Sequence, residues 1–240
     1  MKQSDALKTL ILLTLFSIAM AYLESAVVVY LRAILYPEGF SFPLAPMRTE
    51  FAVTEVFREA ATIIMLLGAG YLGGRNLATR FAWFVYCFAV WDIFYYIFLQ
   101  MLIGWPASLM TWDILFLIPV TWAGPVITPV FVSLTMILLA VVILYYDRKA
   151  GKIVIRPGEW MLLLAGALML FLSFIWDYSA FMLRHYSVGE ILSPPDKNTF
   201  INLSLQYMPV HFPWLLFAVG EMLILVAIGL LMRRQRRLNE

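Results

Sequence analysis

The chain has 240 residues, 63% hydrophobic and only 13% charged, with a formal net charge of +2. Soluble domains carry about 25% charged residues, so this composition excludes an ordinary water-soluble domain and describes a membrane protein. The small net charge gives no footing for a nucleic-acid partner, and the single cysteine, Cys87, excludes an internal disulfide and a thiol-based metal or redox motif.

A helix that crosses a bilayer needs about 20 mostly apolar residues. Six stretches qualify: residues 7–36, 51–72, 79–103, 126–146, 159–183 and 213–232. Lys2, Lys8 and Ala19-Met20-Ala21 imitate a signal peptide. The apolar run continues to Tyr36, however, which is too long for a secretory signal, and the stretch reads as a retained first span. Tyr36-Pro37 ends it, because a residue before proline is pushed out of the helical region. Pro43 and Pro46 keep the following connection extended. Gly68, Gly70, Gly73 and Gly74 at the end of the second stretch read as packing and turning residues rather than a phosphate loop.

Residues 104–125 are strongly apolar but interrupted by Pro106, Pro119, Gly124 and Pro125. They are expected to lie on the outer surface or to dip in and return, and backbone at that depth must be covered by protein or line a wet cavity. Residues 185–211 hold both histidines and Pro194-Pro195, and are long enough to form a cap.

Basic residues set the expected orientation. Lys2 and Lys8, Arg75 and Arg80, then Arg148, Lys149, Lys152 and Arg156, and finally Arg233, Arg234, Arg236 and Arg237 fall on one face of a six-span chain. That face is the cytoplasm of a bacterial-type inner membrane, with both termini on it. The fold expected is an all-α, six-span bundle forming a single integral-membrane domain over residues 1–240. Trp83 and Trp160 at inner ends, and Trp105, Trp112, Trp122 and Trp214 near outer ends, read as headgroup-level anchors.

A charge near the bilayer centre costs at least ~2.5–3.5 kcal/mol, so charges inside spans mark function by default. Glu24, Glu55, Arg58, Glu59, Asp92 and Glu221 are such charges. At ~1.5 Å per residue nearly all of them fall in the outer half of their spans. Glu55, Arg58, Glu59 and Thr62 share one helical stripe, as do Asp92, Tyr95, Tyr96 and Gln100. The expectation is a carboxylate-rich pocket lined by spans one, two, three and six. Five acids against one arginine require protonated carboxyls or a bound cation.

Three readings follow. The first is a metal-dependent membrane enzyme, in which Glu55, Glu59 and Asp92 are catalytic. Glu24, Glu55, Glu59 and Glu221 would hold a divalent ion there, with His185 and His211 as further candidate ligands. Arg58 balances charge or holds an anionic group, and Tyr95, Tyr96 and Gln100 donate hydrogen bonds. The second is a small proton- or cation-coupled transporter, and the third is a non-catalytic subunit of a respiratory assembly. The partners expected are the bilayer and another membrane protein or a second copy of the chain. Ferritin-type Glu-x-x-His pairs, zincin His-Glu-x-x-His and a nucleophile-elbow serine are all missing. The thirteen methionines are dispersed and read as core filling.

The stretches Glu24-Ser-Ala-Val-Val-Val-Tyr-Leu-Arg32, Trp91-Asp-Ile-Phe-Tyr-Tyr96 and Thr111-Trp-Asp-Ile-Leu-Phe-Leu-Ile-Pro119 resemble functionally uncharacterised bacterial polytopic membrane proteins. The resemblance covers most of the chain. It implies a multi-span bacterial membrane protein and carries no activity.

Overall fold

The computed structural model describes residues 3–151, 153–193 and 195–238; Lys2, Lys152 and Pro194 lie outside the described residues. Six long helices dominate: α1 (Gln3–Leu35), α2 (Thr49–Gly73), α3 (Leu77–Ile103), α4 (Ile127–Ala150), α5 (Pro157–Leu183) and α8 (Trp214–Arg237). Two short helices, α6 (Val188–Leu192) and α7 (Lys197–Leu205), lie between α5 and α8. Five of the long helices are long and apolar enough to cross a membrane: Ala6–Leu35, Leu77–Ile103, Ile127–Lys149, Pro157–Leu183 and Trp214–Arg237. The chain is therefore a helical, multi-pass membrane protein in contact with lipid. Helix α2 is not among the five; its N-terminal half carries Glu50, Glu55, Arg58 and Glu59.

Helix α3 is the centre of one half, packing against α1, α2 and α4. In the other half α5 lies against α8, and α4 bridges to α8. Small residues decide two of these contacts. A Cβ at Gly166 would lie 2.8 Å from the Gly220 carbonyl oxygen, so α5 and α8 meet backbone to backbone there. A Cβ at Gly74 would lie 2.3 Å from the Arg80 nitrogen, so the α2–α3 turn requires glycine. Asn76 caps α3 by accepting from the Thr79 N–H at 2.9 Å, and its amide donates to Asp147 at 3.0 Å, tying the start of α3 to the end of α4. Arg234 at the end of α8 forks onto Glu159 at the start of α5, at 2.8 and 2.9 Å, and also donates to the Val154 carbonyl.

The apolar connection after α3 is a two-stranded hairpin. Strand β1 (Trp112–Phe116) pairs antiparallel with β2 (Trp122–Pro125), with Asp113 opposite Gly124 and a bulge between Ile114 and Phe116. The pairing answers the demand that buried backbone find partners, and β2 rests on α5. Trp83, near the start of α3, is 5% exposed and packs against Gly73.

Candidate functional site

Helices α2 and α5 do not form a packed pair. Between them, walled by α1, α3, α4 and the hairpin, runs a cavity of about 1100 Å³, above the usual range of ligand pockets. Along α3 its lining extends from Phe81 to Tyr96, roughly 22 Å at 1.5 Å per residue. Its two ends differ in chemistry. At the hairpin end lie Glu24, Arg32, Glu55, Arg58, Glu59 and Asp113. Away from the hairpin the wall is apolar, with Phe81, Phe84, Val85, Leu139, Leu163 and Ile224.

The charged end is built from paired groups. Arg58 forks onto Glu55 one turn earlier in α2, with Nε to Oε2 at 2.9 Å and Nη2 to Oε1. Its Nη1 reaches Glu24 on α1. Helices α1 and α2 barely touch otherwise, so this bridge closes the space between them. Glu59, one turn beyond Glu55 on the same face of α2, accepts the Leu117 N–H on both carboxylate oxygens, at 3.1 and 3.0 Å. It thereby holds the hairpin turn over the cavity. Arg32, at the end of α1, contacts Asp113 of β1 at 3.4 Å. The guanidinium sits in the corner between two perpendicular aromatic rings, its carbon 3.8 Å from the Trp105 ring centre and 4.4 Å from that of Phe40. Tyr96 donates to the other Asp113 oxygen at 3.2 Å. Burial pushes the Asp113 carboxyl up to about 6, against the opposing pull of Arg32 and the Tyr96 hydroxyl. Deeper in, Asp92 accepts from Ser133 of α4 at 2.7 Å.

Glu24, Glu55, Arg58, Glu59, Asp92, Tyr95 and Tyr96 all line this one cavity. Four other expected site residues lie elsewhere. Gln100 is exposed and outside the lining, because it falls beyond Tyr96 at the end of α3. Glu221 points to Thr135 of α4 at 2.8 Å; α8 enters the lining through Ile224 instead. His185 is exposed and bonds the Phe181 carbonyl one turn back. At His211 the backbone N–H donates to Asp177 at 3.1 Å, beside the Tyr207 hydroxyl at 2.9 Å. Asp177 thus fastens the segment after α7 to α5, and burial, helped by the Asp177 charge, pushes the Tyr207 phenol upward, keeping it a donor.

The expected ligand set of Glu24, Glu55, Glu59 and Glu221 with the two histidines is consequently not assembled. Among the described residues no group of three or more His, Cys, Asp or Glu side chains is placed to hold a metal ion. The physical reason is that Arg58 occupies Glu24 and Glu55, while Glu221 belongs to a different helix interface.

Comparison with protein-family models, curated proteins and solved structures finds no match.

Sequence reasoning passed over Asp113 and Arg32, which complete the charged layer. Asp113 lies in a loop-like stretch, and Arg32 reads as an end-of-span residue. The signal available was the Trp112-Asp113 pair inside an otherwise apolar run. Spans four and five and the hairpin form most of the facing wall, and span six enters it through Ile224.

Proposed function

We propose that the cavity between α2 and α5 receives an amphipathic membrane molecule, with its polar end against the Glu24–Arg58–Glu55 and Arg32–Asp113 layer and its tail along the apolar wall. The observation that carries this reading is the continuity of one elongated space between a charged end and an apolar end. A site for an ion or small hydrophilic substrate would have no use for the apolar length. Glu59 and Asp92 make no ion pair among the described residues, so they are the carboxyls free to give or take a proton at the ligand. That makes an acid–base membrane enzyme the best description of the activity.

In this reading α2 crosses the bilayer as a sixth span. Its 25 residues extend ~37 Å, and the carboxylates of Glu24 and Glu55 offset Arg58 inside the protein. Six spans bring both termini to one side, together with Arg75, Arg80, Arg148, Lys149, Arg156 and the Arg233–Arg237 cluster. That side is the cytoplasm of a bacterial inner membrane, which agrees with the resemblance to bacterial polytopic proteins.

The test is native mass spectrometry of the protein released from mild detergent, beside A167F, which narrows the apolar wall at a lining position. The wild-type chain carries one bound lipid-like mass per protein, and A167F loses it. A bare wild-type chain, or equal binding by both, would sink the proposal.

A further inference from the structure

The wall of this cavity is short of cations. Among the described residues, Glu24, Glu55, Glu59, Asp92 and Asp113 line it, against only Arg32 and Arg58. Both arginines are already engaged: Arg58 holds Glu24 and Glu55, and Arg32 sits on Asp113. An anionic headgroup would meet no unengaged cation and would add charge of the prevailing sign. A metal ion does not fit the deficit either, because no three acids among the described residues converge to ligate one.

Two oxygens on α3 open onto the cavity without a partner. Asp92 and Tyr95 are half-buried lining residues, one turn apart on one face of the helix. Ser133 donates to Asp92 Oδ2 at 2.7 Å, and among the described residues no donor reaches Oδ1 and no cation pairs with the carboxylate. Tyr95 accepts from Ser25 at its backbone carbonyl, at 3.1 Å, and its hydroxyl is left free. Both oxygens keep accessible surface. The partnerless side-chain atoms sealed inside the protein are Arg32 Nη1, Trp91 Nε1, Trp122 Nε1 and Glu221 Oε1, and neither Asp92 nor Tyr95 supplies one. Because α3 is enclosed by α1, α2 and α4, the surface these two present is the wall of the cavity. Past Asp92 the α3 wall continues through Phe88, Val85, Phe84 and Phe81. Asp92 is therefore the last charged group of α3 in the lining before the apolar end.

From this we infer that the ligand of the site is a long-chain amine, with an ammonium carried directly on its apolar tail. Asp92 is the counter-ion, and the Tyr95 hydroxyl oxygen accepts a second N–H of the same group. An ammonium brings donors and no acceptor, which is what two open oxygens call for, and its bond to a carboxylate is charge-assisted. The tail lies along Phe88, Phe84 and Phe81, a run of roughly 16 Å beyond Asp92. Asp92 and Tyr95 are therefore specificity-determining residues. The inference rests on the amphipathic-ligand reading above and adds the charge and donor chemistry of the headgroup to it.

Equilibrium gel filtration of the full chain in non-ionic detergent near neutral pH, with tritiated dodecylamine, tests it; a primary amine is protonated there, as lysine is. Dodecanol keeps the tail and a hydroxyl donor without charge, and dodecanoate reverses the charge. The wild-type chain binds one amine and A167F none. Unlabelled dodecylamine displaces the probe at least about tenfold better than either competitor. D92N, which keeps the shape and loses the charge, weakens amine binding about ten- to a hundredfold and removes the amine's advantage over dodecanol. Y95F weakens amine binding about three- to tenfold. If dodecanol or dodecanoate displaces the probe as well as the amine does, the inference is overturned even should D92N or Y95F fail to fold. A folded D92N that keeps the amine's advantage overturns it too. The amphipathic-ligand reading survives both of those results. Equal amine binding by the wild-type chain and A167F, or no binding of any of the three compounds, removes both.

Discussion

Replacing Arg58 with methionine isolates the electrostatics of the charged layer. Arg58 is the cation of two carboxylates, Glu24 and Glu55, whose side chains are each only 13% exposed. Methionine fills much of the same volume but leaves both acids without a partner. Removing one member of a buried ion pair costs about 3–5 kcal/mol, because the remaining charge stays desolvated. At about 2–4 °C per kcal/mol for a chain of this size, the apparent Tm of R58M falls by roughly 6–20 °C. Thermal unfolding in mild detergent, followed by size-exclusion chromatography, measures it. The triple variant E24Q/E55Q/R58M removes the two charges as well and recovers at least half of the loss. If instead the triple variant is less stable than R58M, lost packing rather than uncompensated charge dominates, and the reasoning fails.

Three further outcomes are expected. Asp113 has its carboxyl raised from the ordinary value of 3.8 to about 6, so the folded chain binds that proton more tightly than the unfolded one; its contribution is present below about pH 4 and lost as pH rises through 6. The wild-type apparent Tm therefore falls across that window and that of D113N does not, and parallel curves would contradict this. A Cβ at Gly166 would lie 2.6 Å from Ile224 Cγ1 as well as against Gly220, so G166A costs about 1–3 kcal/mol of stability through overpacking of α5 on α8; an unchanged apparent Tm would show that the contact yields freely. Elemental analysis of protein purified in mild detergent without added metal returns no stoichiometric iron, copper, manganese or zinc, since the candidate carboxylates do not converge as a ligand set; a metal that disappears in E59Q would reverse that conclusion.

Much of the fold is legible in the sequence because the bilayer imposes a simple rule on length and apolarity. Residues 79–103 and 159–183 sit within a residue or two of α3 and α5, whose ends are marked by Asn76, Gly104 and Pro157. The stripe of Glu55, Arg58, Glu59 and Thr62 is legible for the same reason, since helical spacing places residues on a face without knowledge of neighbours. The hairpin was not legible. Residues 112–125 are apolar on both faces, so they lack the alternation that marks a strand, and the prolines suggest only an irregular path. Partners across the fold were equally hidden: Glu159 and Arg234 are 75 residues apart, and nothing local to either names the other. Glu221 is the instructive failure. Depth along a helix can be counted from sequence, but the direction it faces depends on which neighbour packs where, and α8 sets it on Thr135, itself a lining residue, rather than in the lining with Glu24, Glu55 and Glu59.

The most direct measurement is a cryo-electron microscopy map of the protein in lipid nanodiscs, with an antibody fragment bound to add mass. The expected map has α2 and α5 held apart, with elongated non-protein density running from the level of Arg58 past Trp91 toward Leu163. A map in which α2 packs onto α5 and the space between them is gone would contradict it.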